Sequence, residues 1–175
     1  MKKYKLTDQN LQTHNGFQWE LGVERTTDGR GTLCSEGFLH YYHHPLLAIL
    51  LNPVHANIEN PRLFEIKALG KHLNDSGLKG GCTKMTLVKE IELPTISLIQ
   101  KIAFGILCSL KVYSESSYVI WANNWLNNIG RSQNYANAAA NAANAAYAAY
   151  ADDAARAAAK KFDLIKLAKK ALTYS

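Results

Sequence analysis

Cysteine is scarce in this 175-residue chain: Cys34, Cys82 and Cys108 are odd in number and far apart. That excludes a disulfide framework and points to a reducing compartment. No apolar run follows the lysines near the start, so no signal peptide is expected. The most apolar segment, Ile96 to Leu110, is too short to span a bilayer and carries Gln100 and Lys101. Acidic residues are few, 14 against 20 Lys and Arg, giving a net charge of +6 and a pI near 9.2. That balance tells against a protein that imitates the acidic surface of DNA. Cys-x-x-Cys, His-Glu-x-x-His and Gly-Lys-Ser/Thr are all absent, which removes the common zinc sites and the phosphate loop that opens a helix. With 47% hydrophobic and 19% charged residues, the chain is expected to build a core, be soluble and cytoplasmic, and avoid membranes.

The charge divides the chain. Residues 1–93 hold eleven Lys and Arg against ten Asp and Glu, net +1, whereas residues 94–175 hold nine against four, net +5. Periodicity changes at the same place. Phe17, Trp19, Leu21 and Val23 alternate with Gln18, Glu20 and Gly22, and Met85, Leu87, Ile91 and Leu93 form a second apolar row interrupted at Lys89. Both predict half-buried strands. Lys3–Leu6, Thr32–Cys34 and Leu63–Ala68 predict shorter ones. Pro45 to Leu51 predicts a helix entered through a first-turn proline and stopped at Asn52-Pro53. Gly77-Leu-Lys-Gly-Gly-Cys-Thr-Lys84 reads as a flexible loop.

After Pro94 apolar residues recur at helical spacing. Ile96, Ile99, Ile102, Ala103, Ile106, Leu107 and Leu110 predict a buried helix over about 95–112. Tyr118, Trp121, Trp125 and Ile129 predict a second over 116–129, ended by Gly130. Residues 132–172 predict one long alanine-rich helix on which Asn141, Asn144, Tyr147, Tyr150, Asp153 and Arg156 recur every third position. Alanine permits close backbone packing, against the Trp helix or a second copy of the chain; a rigid arm presenting the tyrosines is the other reading. The expected fold class is α+β: a small mixed β-sheet domain over 1–93, then a helical region over 94–175.

The densest polar cluster runs from Cys34 to His44 and includes His40, Tyr41 and His43. Thiolate and imidazole are soft-metal ligands, but an extended segment turns His40 and His43 to opposite faces, so neither a metal nor a cofactor is expected. Cys34 beside His40 or His43 would be the one nucleophile and base pair. Glu90 and Glu92 share one strand face and read as exposed charge. No catalytic residue is assigned; His40, Tyr41, His43 and Glu65 form the candidate pocket if the protein is an enzyme. Trp121, Trp125, Tyr147, Tyr150, Lys166, Lys169 and Lys170 are the candidate partner-binding residues, because aromatic and cationic anchors concentrate interface energy.

Asn15-Gly-Phe-Gln-Trp-Glu-Leu-Gly22, Leu33-Cys-Ser-Glu-Gly-Phe-Leu-His40, Pro45 to Asn57, Asn60-Pro-Arg-Leu-Phe-Glu65, Gly77 to Cys82 and Leu87 to Pro94 together resemble a family of small phage and prophage proteins of unassigned function. The similarity continues through Ile106–Tyr113 and Trp121–Leu126 into the alanine-rich tail. Where shorter relatives read Gly-Phe-His with a cysteine soon after, Leu39 intervenes here and Tyr42 stands in the cysteine's place. The resemblance implies an accessory protein that binds a host bacterial protein without catalysis and inhibits a defence system such as CRISPR-Cas. A looser similarity, to the mixed-sheet half of ADP-ribosyltransferase-like folds, implies instead an enzyme that modifies a host target, although no Arg/His, Ser-Thr-Ser and Glu triad is traceable. The basic C-terminal end gives a third alternative, nucleic-acid binding with steep salt dependence. Homo-oligomerisation through the C-terminal helices is a further expectation.

Overall fold

Antiparallel pairing organises the first part of the chain. The computed structural model describes residues 2–131 and 163–175, in two units that divide between Pro94 and Thr95. The fold class is α+β, with antiparallel strands in the N-terminal half and, among the described residues, three of four α-helices in the C-terminal half.

The strands of the first unit are β1 (Lys3–Thr7), β2 (Gln12–Thr13), β3 (Phe17–Gln18), β4 (Glu24–Thr26), β5 (Leu39–Tyr41), β6 (Arg62–Asn74) and β7 (Gly80–Ile91), with helix α1 (Pro45–His55) between β5 and β6. The long β6–β7 hairpin is the spine. β1 pairs with β6, while β4 and β5 pair with successive stretches of β7. Beyond β5 the chain reaches the free side of β1, where Tyr4 and Tyr42 exchange backbone hydrogen bonds of 2.9 and 2.7 Å. The hydrogen-bonded circuit β1–β6–β7–β5–β1 is therefore closed. One face of these strands supplies the core: Leu39, Tyr41, Phe64, Ile66, Cys82, Met85 and Leu87, with Trp19 packed among them. Lys5 pairs directly with Phe64, so strand alternation aims its side chain at this same apolar face.

Several strand expectations are corrected. The row from Phe17 to Val23 forms a strand only over Phe17–Gln18; Gly22 takes φ +79°, the chain bends, and Leu21 makes a single parallel bridge to Leu87 with its side chain half exposed. Thr32–Cys34 forms a turn closed by the Ser35 amide on the Thr32 carbonyl. Gly80 and Gly81 belong to β7 and not to a flexible loop. A Cβ on Gly80 would lie 2.4 Å from the Tyr41 ring, so the missing side chain is what seats that ring. Nor does Pro53 stop α1. The helix continues to His55 because tertiary contacts hold its last turn: Asn52 bonds the Ile58 backbone through both amide atoms, and His55 stacks on Tyr42 at 5.8 Å.

In the second unit α2 (Leu98–Ser109) starts at a capping box in which Ser97 and Gln100 satisfy each other's backbone amides, and Ile102 to Ser109 are buried. α3 (Ser116–Leu126) is capped by Glu115 and stops at Leu126, short of Ile129, with Asn128 in the left-handed region. α4 (Leu164–Ala171) packs on α2, and Gln100 donates to the Leu172 carbonyl. Asp163 caps α4 from an extended conformation, so the expected unbroken helix over 132–172 is interrupted there. Residues 132–162, with Tyr147 and Tyr150, lie outside the described residues. Among the described residues no helix is long and apolar enough to cross a membrane.

Candidate functional site

A cleft of about 160 Å³ opens in the first unit where β1, β5, the short helical turn at His14–Gly16, the end of α1 and the β6–β7 turn meet. Lys5, Thr13, His14, His40, Tyr42, His55 and Lys79 supply its polar lining, and Leu6, Ala56 and Ile58 the rest. No carboxylate lines it. Every charged or titratable side chain in the lining is a cation, an imidazole or a phenol.

Lys5 is the unusual member. Its side chain is buried, 7% exposed, yet its ammonium is in no ion pair among the described residues. One N–H donates to the His40 carbonyl at 2.9 Å, and the Trp19 ring lies 4.8 Å away. A cation–π contact and one carbonyl replace only part of the lost hydration. Burial accordingly pulls the Lys5 pKa down to about 8.

The imidazoles are held from behind. His40 Nε2 donates to the Leu33 carbonyl. His55 is fixed by its stacking on Tyr42, whose hydroxyl is 3.3 Å from His55 Nδ1. Burial lowers the pKa of both rings, to about 4 for His55, and the nearby Lys79 charge adds to the shift. Both are therefore neutral at pH 7. Thr13 is oriented by the Trp19 indole N–H, which donates to its hydroxyl at 3.0 Å.

Sequence spacing brought His40 into view, but its expected companions lie elsewhere. Tyr41 points to the core face, its ring edge-on to His43 at 5.3 Å and beneath the Lys3 ammonium at 4.5 Å. Glu65 has Lys2 at 2.7 Å and Lys89 at 3.7 Å as ion-pair partners, so it joins neither histidine. Cys34 is exposed, and the His40 nitrogen facing that loop is engaged by Leu33. Glu90 forms a two-pronged pair with Arg62. No three or more of the described His, Cys, Asp and Glu residues are grouped to hold a metal ion. In the second unit Lys166, Lys169 and Lys170 are exposed and Trp121 is half-buried. Trp125 is 2% exposed beneath the Arg131 guanidinium, which corrects its assignment as a surface anchor: it is core.

Lys5, Thr13, His14, His55 and Lys79 were not legible as a site. The period-2 pattern of β1 puts Lys3 and Lys5 on one face, but only the register against Phe64 shows that face to be inward. A family model described as a domain of unknown function (DUF7666) matches residues 1–99, which include the whole cleft. No curated protein and no solved structure matches the chain.

Proposed function

The chain belongs to the DUF7666 family, and we propose that its N-terminal unit is a binding module for a small anion, a carboxylate or phosphate, held in the Lys5–Lys79 cleft. One observation carries this reading: a concave site with two ammoniums, three imidazoles and two hydroxyls contains, among the described residues, no acidic residue to pair with the ammoniums. Such a donor set is complementary to anionic oxygen, where charge-assisted hydrogen bonds are strongest. In calorimetric titrations with inorganic phosphate and with acetate, Lys79→Met is expected to weaken binding about tenfold, since a hydrogen bond to a charged group contributes about 1.5–3 kcal/mol. Affinity should fall above pH 8 as Lys5 loses its proton, and should change little from pH 8 down to pH 7, where the buried His40 and His55 rings are neutral. Affinity indifferent to both pH and Lys79 would remove the proposal.

A second reading concerns the second unit. Ile120 and Ile129 are 62% and 60% exposed, close in sequence to the half-buried Trp121. Large apolar side chains left in water favour occupation of a surface on another protein. A host bacterial target in a defence system is the setting that the phage resemblance implies. A pull-down from bacterial lysate is expected to recover one stoichiometric protein with the native chain and to lose it with Ile120→Asp. Equal recovery by both would reject α3 as the docking face.

A further inference from the structure

Resting on the anion-cleft reading above, we propose that Lys5 is a reactive amine, and that the cleft takes a small acid which also bears an aldehyde or ketone, captured on Lys5 Nζ as an imine.

A lysine kept only for its charge would sit beside a carboxylate, and Lys5 does not. Lys5 lines the cleft, its Nζ faces the Trp19 ring, and among the described residues its three N–H bonds find one acceptor, the His40 carbonyl. When the nitrogen is neutral, that one bond fixes its orientation while the lone pair stays available. Burial makes the neutral form accessible near pH 8, as for lysines that act as nucleophiles. The cavity holds about 160 Å³. That admits a two- or three-carbon oxoacid. Lys79 and His14 line the same cleft and can hold the carboxylate, whose charge would otherwise be solvated.

The step balances without any further reagent. The Nζ lone pair forms a bond to the carbonyl carbon while the carbonyl oxygen takes up a proton, giving a carbinolamine. The nitrogen then loses its protons as the C–O bond breaks, and water leaves. The sum is amine plus carbonyl to imine plus water, with no change of oxidation state. His40 lines the cleft as a neutral ring that can take a proton from the attacking nitrogen and return it to the departing oxygen, whereas His55, held at about 4, is too weak a base for that near pH 8.

The test is trapping. The full chain is incubated with glyoxylate or pyruvate near pH 8, reduced with borohydride, and read by intact mass and peptide mapping, which separates Lys5 from the α-amino group and the exposed lysines. We expect one adduct, on Lys5, forming at least about tenfold faster than on any exposed lysine, in line with its larger share of free amine. Excess acetate or inorganic phosphate should slow it, and acetaldehyde, which lacks the carboxylate, should label Lys5 more slowly than glyoxylate. Lys5→Met should abolish the fast adduct while retaining the native circular-dichroism spectrum. Labelling spread over exposed lysines and unchanged in Lys5→Met would overturn the imine. If phosphate and acetate still bind in that case, the anion cleft stands and only the covalent step falls; if they do not, both fall.

Discussion

Replacing Lys5 by methionine should make the protein more stable at pH 7 and progressively lose that advantage as pH rises. Burial holds the ammonium at about 8, against an ordinary value of 10.5. Below pH 8 the group is charged in both the folded and unfolded chains, and the fold carries the cost of keeping that charge out of water. Each tenfold change in proton affinity corresponds to about 1.4 kcal/mol, so this cost is about 3 kcal/mol. Between pH 8 and 10.5 folded Lys5 is neutral while unfolded Lys5 still binds a proton. The unfolded state then holds more protons, and native stability gains with pH relative to the variant. Methionine keeps the stem's packing and removes the charge, at the loss of the bond to His40, worth about 1 kcal/mol. Tyr41 and Tyr42, both raised by burial, oppose stability in alkali, but they are common to both proteins and cancel in the difference; Cys82, also raised by burial, interacts with the Lys5 charge, so its contribution cancels only in part. Urea unfolding of both at pH 7 and pH 10.5 should give differences that shrink by about 3 kcal/mol. A difference independent of pH would mean that Lys5 is solvated in the folded protein.

Gly80→Ala is expected to destabilise by about 1–3 kcal/mol, the usual cost of forcing an added methyl into a packed site. The new Cβ would lie 2.4 Å from Tyr41 Cζ and 2.7 Å from its hydroxyl, and that ring, 3% exposed, has little room to retreat. Tyr41→Leu shortens the obstacle, so the two substitutions should be strongly non-additive, with at least about 1 kcal/mol recovered in the double variant. Gly77→Ala is the control. Its methyl would meet nothing within 4 Å, and only the φ of +88° opposes it. Additive losses at Gly80 and Tyr41 would show that the ring does not rest on the glycine.

The β6 and β7 rows and the buried α2 were legible from local signals, because each follows from the period of apolar residues alone. Local signals failed where tertiary contacts outweighed a local rule. Asn52-Pro53 reads as a helix stop, yet the turn beyond it survives on the Asn52–Ile58 bonds and the Tyr42 stack, and that turn delivers His55 to the cleft. Gly80-Gly81 reads as slack chain, although its bareness is a packing requirement of Tyr41 and Leu33. The cleft itself was hidden for a related reason. Lys5, His14, His55 and Lys79 come from four separate stretches, none remarkable by itself, and only the closure of β1 onto β5 brings them together. His40 drew notice as part of a histidine-rich run; the run's other members face away.

The Tyr4–Tyr42 pair also bears on how the protein behaves when crowded. A strand that terminates an open sheet offers its bare amides and carbonyls as a template on which a neighbouring molecule can add a strand of its own, the first step toward polymerisation. Here the chain's opening strand has that side occupied at Tyr4 by its own later residue, in both directions of hydrogen bonding. Self-templating through β1 is thus blocked at Tyr4 by the chain's own fold.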